Sequence, residues 1–131
     1  MTDSPMMLKV GLILTIVIDL VYGVMFLLAP TFYFALAGSD PFDAGLLRWS
    51  GGVLIALGVG AFQVLKAPAR QRIFVDTLLL SYLLAALAHT YGFFMEQYTG
   101  QIWVLGMPMV GVWITTIVLF LGRNQARELL Q

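Results

Sequence analysis

The stretch LKVGLILTIVIDLVYGVMFLLA, residues 8–29, decides the fold. It has the ~20-residue length that a helix needs to cross a hydrocarbon core of ~30 Å. After Lys9 its only charged residue is Asp19. Three further apolar runs follow, at residues 46–65, 73–94 and 102–121. Inside a bilayer the backbone must satisfy its hydrogen bonds within the segment, so these runs read as helices. Membrane β-strands would alternate over ~10 residues, and these runs do not alternate.

Composition points the same way. Of the 131 residues, 60% are hydrophobic and 11% charged, against roughly 25% charged in a soluble domain. The predicted fold is all-α: one integral membrane domain over residues 1–131, a four-helix bundle with helices near 8–29, 43–65, 71–95 and 102–122. The N-terminal MTDSPMMLKV does not read as a cleaved signal peptide, because the apolar run after it exceeds an h-region of about 7–15 residues. A net charge of 0 without a basic tract excludes a nucleic-acid footprint. The absence of cysteine excludes disulfides and thiolate chemistry. The expected partners are membrane lipids, with a homo-oligomer or a larger membrane complex as the further expectation.

The connections carry helix-end signals. Pro30 stops the first span, and TFYFALAG predicts a short interfacial helix over 31–37 ended by Gly38. SDPFDAG predicts the next helix start, with Ser39 or Asp40 as N-cap, Pro41 at the first helical position and Asp43 in the first turn. RNQARELLQ reads as a continuation of the fourth helix with Leu129 and Leu130 on an interfacial face. With four spans, Lys9, Lys66, Arg70, Arg72, Arg123 and Arg127 share one side, and Arg48 alone lies on the other. Positive residues stay cytoplasmic, so both termini are expected inside. Phe32, Tyr33, Phe34, Tyr91, Phe93, Phe94, Tyr98 and Trp103 then fall at the outer end, as an aromatic interfacial belt.

Lipid removes the hydrophobic drive for helices to meet, so small residues must carry close packing. The second span offers two ridges: Gly52, Ala56 and Gly60, and Gly51 with Gly58. Pro108, between Gly106 and Gly111, predicts a kink in the fourth span. The two readings of these features are plain packing and a ligand groove beside the kink.

The polar residues at depth are the candidate site. At ~1.5 Å rise per residue Asp19 falls near the midplane, ~8 Å below His89 and somewhat more below Arg48. Tyr82, Ala85, His89 and Glu96 share a face of the third span, and Thr15, Asp19 and Tyr22 one of the first. Asp19, Tyr22, Arg48, His89 and Glu96 therefore form a candidate ligand or proton site. An unpaired charge at the bilayer centre costs at least ~2.5–3.5 kcal/mol. Asp19 is thus either paired, fixing helix register, or a protonatable residue facing a cavity. Asp76, one turn into the third span, reads as a structural partner of Arg72 or Lys66.

No catalytic set emerges, and no cofactor is expected. One histidine without cysteine supports neither a bis-histidine haem within a monomer nor a zinc site. Ser81 and His89 lie two turns apart on one helix, too far to hydrogen-bond directly. The chain is read as a non-enzymatic accessory or scaffold subunit, or as a binder of a lipid-like hydrophobic ligand. The alternatives are a proton-coupled transporter or channel using Asp19, and a quinone-associated redox subunit.

YGVMFLLAPTFYFALAG and LLRWSGGVLIALGVGAF, within residues 20–65, resemble the DoxX-like and related small bacterial membrane proteins. The resemblance implies a compact four-helix bundle in the bacterial inner membrane, with Arg48 facing the bundle interior. Founding members of that group are associated with sulfur and quinone redox complexes, and most relatives have no established activity. The third and fourth spans here carry no redox motif of that kind.

Overall fold

The computed structural model describes residues 5–39, 43–95 and 100–131. It holds five helices: α1 (Met6–Leu28), α2 (Pro30–Ala37), α3 (Ala44–Lys66), α4 (Arg72–Phe94) and α5 (Ile102–Gln125). All but α2 are long and apolar enough to cross a membrane.

Pro30 separates α1 from α2 for two reasons. It has no N–H to donate back into α1, and its fixed φ suits the first position of a new helix. Gly38 ends α2 in the left-handed region at φ 60, where the Ser39 N–H reaches back to the Phe34 carbonyl. Ser39 thus closes α2 rather than opening α3. The N-cap of α3 is Asp43, whose Oδ1 accepts from the Gly45 and Leu46 N–H groups at 2.8 and 3.2 Å. This corrects the expected cap at Ser39 or Asp40; Asp40 and Pro41 lie outside the described residues.

The long helices alternate in direction. Around the bundle α1 neighbours α3 and α5, and α4 neighbours α5 closely and α3 sparsely. Helices α1 and α4 are therefore diagonal. Glycines set the tight approaches: a Cβ on Gly51 would lie 2.7 Å from the Gly23 carbonyl and Leu27 N–H of α1. One on Gly122 would lie 2.5 Å from the backbone of Leu8. Gly58 also faces α1, against Asp19 and Leu20. Of the other expected ridge, only Gly60 meets a neighbour, the Phe74 ring of α4. Gly52 has nothing within 4 Å and Ala56 is exposed, because one step around α3 turns them away from α1. Helix α5 runs unbroken through Pro108.

One end of the bundle gathers the basic residues and is densely packed. Leu8, Leu12, Val75, Leu78 and Leu119 are fully buried there. Beyond Gln125 the chain leaves the helix and tucks under this end, the Arg70 and Arg72 N–H groups donating to the Leu129 and Leu130 carbonyls. Leu130 is 1% exposed, so it belongs to the core rather than to the interfacial face expected for it. Asp76 receives two hydrogen bonds from Arg123, at 2.7 and 3.2 Å, and lies 3.5 Å from Arg72. Lys66 instead lies over the Phe62 ring.

The outer faces are apolar throughout. Val17, Val21, Leu84, Ile114, Ile117 and Phe120 are all exposed. An apolar patch of this extent is not left to water by a soluble monomer.

Candidate functional site

Above the packed basic end, the bundle holds a partly open cavity of about 150 Å³ between the diagonal helices. Helix α1 contributes Ile18, Asp19, Tyr22 and Phe26, and α4 contributes Ser81, Tyr82, Ala85 and His89. Leu54 and Leu57 of α3, Tyr33 of α2, and Pro108 and Val112 of α5 complete the wall. Spacing explains the first two groups. Residues 19, 22 and 26 lie on one face of α1, as do 82, 85 and 89 on α4, and the two faces oppose each other across the bundle.

Asp19 is the buried charge of this site, 1% exposed. Its Oδ1 accepts a 2.7 Å hydrogen bond from the Tyr82 hydroxyl of α4. Its Oδ2 is buried, and among the described residues it has no hydrogen-bond partner. Room for the carboxylate comes from Gly58, where a Cβ would lie 3.2 Å from that of Asp19. Nearby polar groups also bond within their own helices. The Thr15 hydroxyl donates to the Gly11 carbonyl and the Ser81 hydroxyl to the Thr77 carbonyl. His89 Nδ1 faces the Ala85 carbonyl at 2.8 Å; a carbonyl only accepts, so Nδ1 carries the proton.

Aromatic rings form the wall at the end away from the basic cluster. Tyr22, Phe26 and Tyr33 pack edge-to-face, with centroids 5.1 to 6.5 Å apart. Tyr33, expected in the interfacial belt, is turned inward onto the cavity, whereas Phe32, Tyr91, Phe94 and Trp103 are exposed. Helix α2 is held by the Gln101 N–H, which donates to the Ala37 carbonyl at 2.7 Å. Between α4 and α5, the Trp113 indole N–H donates to the Thr90 hydroxyl at 2.9 Å.

The structure thus brings Asp19, Tyr22 and His89 to one cavity and leaves Arg48 out of it. Arg48 is exposed and does not line the wall. Its position along α3 explains this correction. Gly51 already faces Leu27, next to the end of α1 at Leu28, so Arg48 lies nearly a turn beyond the neighbour that would have buried it. Glu96 lies outside the described residues. The residue missed as a partner of Asp19 is Tyr82; its place on the face of His89 was the available signal. Arg123 was likewise missed as the partner of Asp76.

No protein-family model, no curated protein and no solved structure matches this chain.

Proposed function

We propose that this chain is a multi-pass membrane protein, both ends on the cytoplasmic side, that binds a small, largely apolar ligand among its helices. It acts as a binding or accessory subunit rather than as an enzyme. The observation that carries this reading is the cavity: mostly aliphatic and aromatic walls around one buried carboxylate. Ligand sites are commonly of this kind, apolar with few polar groups that fix orientation. The orientation follows from the basic end and the rule that positive residues stay inside. The DoxX-like resemblance of residues 20–65 supports a compact bundle in a bacterial inner membrane. A transport path is less well supported, because the fully buried leucines 8, 12, 78 and 119 close the way from the cavity to the basic end.

Native mass spectrometry on protein gently purified from its own membrane tests the reading. Wild type is expected to release a small hydrophobic molecule, and Ala85→Phe, which fills the cavity, to release none. Equal release from both proteins would sink the proposal.

A further inference from the structure

Asp19 Oδ2 is a buried acceptor for which the described residues supply no donor. Leaving such a group unsatisfied is costly, and more so when it is charged. Four kinds of partner could meet the need, of which a water can donate to Oδ2 but brings no countercharge. A proton would neutralise Asp19, but the resulting O–H would itself be a buried donor needing an acceptor. An inorganic cation of the hard type takes about six or more oxygens. This wall offers one carboxylate and a few hydroxyls among aliphatic and aromatic side chains. An organic ammonium needs no such shell. One N–H can meet Oδ2, the aromatic rings of Tyr22, Phe26 and Tyr33 in the same wall can attract the remaining positive charge, and the aliphatic wall takes the carbon body.

The charge balance of the cavity favours the same partner. Among the described residues no lysine or arginine lines the wall, and Arg48 is exposed outside it; His89, the basic residue of the wall, holds its Nδ1 against the Ala85 carbonyl. A cationic ligand would bring the countercharge for an ionised Asp19. Size limits the rest: a cavity of about 150 Å³ is of the order that holds a benzene-sized ring.

We infer that the cavity is a site for a small lipophilic primary amine, its ammonium on Asp19 Oδ2 and its apolar body against the aromatic and aliphatic wall. The inference rests on the ligand-binding reading above and adds the chemical class of the ligand. Tyr82 is a positioning residue, holding Oδ1 so that Oδ2 is left for the ammonium.

The test compares benzylamine, benzyl alcohol and ethylbenzene, three ligands of one shape, binding to protein in phosphatidylcholine nanodiscs. Apparent affinity is read from thermal stabilisation over a concentration series. Benzylamine is expected to bind wild type about 10- to 100-fold more tightly than the other two, the range of a hydrogen bond to a charged group. Asp19→Asn is expected to erase that preference, and Ala85→Phe to abolish binding of all three. Equal affinities for the three compounds would overturn the amine assignment while leaving the cavity reading intact. Binding of none would overturn both, and benzylamine binding that survives Ala85→Phe would place the amine elsewhere and overturn the assignment. If Asp19→Asn does not fold, the order of the three compounds on wild type decides alone.

Discussion

Asp76 and Asp19 are both carboxylates on apolar helices, and their surroundings treat them oppositely. Asp76, with its side chain 39% exposed, is held by Arg123 from α5 and Arg72 from its own helix. Asp19, 1% exposed, has one neutral phenol and one oxygen to which no described residue donates. The packing around them differs in the same sense. Asp76 belongs to the end where leucines fill the bundle and the tail closes it, whereas Asp19 borders a cavity. A charge whose partners are all in the chain serves the chain's own architecture. The half-partnered carboxylate beside open space is the feature on which the proposed ligand reading rests.

That contrast can be broken most forcefully at the basic end. A Cβ at Gly122 meets the Leu8 backbone at 2.5 Å, so Gly122→Leu cannot be absorbed by a side-chain rotation. It should destabilise by about 3 kcal/mol or more, the upper range for overpacking. Unfolding in a mixed-detergent titration checks this; a loss below about 1 kcal/mol would mean that this end is not tightly packed. Next in size is Tyr82→Phe, which leaves both Asp19 oxygens without a donor. A buried acceptor so stranded costs about 1–3 kcal/mol, and the same titration would show it. An unchanged midpoint would mean that the Asp19–Tyr82 bond contributes nothing.

Asp76→Asn should cost less, about 1 kcal/mol, because the pair is partly exposed and screened. The loss should shrink in high salt, and a cost larger than that of Tyr82→Phe would invert the ranking of the two carboxylates. The smallest effects belong to positions off both regions. Gly52→Ala meets nothing within 4 Å, and a glycine inside a helix is worse than alanine by about 0.5–1 kcal/mol. This variant should therefore be neutral or slightly more stable. Arg48→Gln should stay within about 0.5 kcal/mol, as surface changes do. A large loss there would restore Arg48 to the interior.

Much of the fold is written locally. The spans are legible because crossing length and apolarity belong to a continuous run, and the break at Pro30 because a proline lacks the N–H to continue α1. Gly38 reads as a stop because a left-handed residue is needed there. Of the site, Asp19, Tyr22 and His89 were legible as polar residues within the spans, on faces that could turn inward. Arg48 was placed with them on depth and on the family resemblance, and neither says whether a neighbouring helix extends that far.

What the sequence by itself determined about this protein is which segments are helical, where they stop, and which end collects the positive charge. Only the tertiary structure decided that Gly51 and Gly58, rather than Gly52 and Ala56, face α1. It alone brought Tyr82 to Asp19 across 63 positions of sequence and Arg123 to Asp76 across 47. The reason is physical. In a soluble helix an apolar stripe against a polar face tells which side is interior. Here the outward side is as apolar as the inward one, so the rotation of each helix is set by close packing between helices, which one-dimensional periodicity does not record.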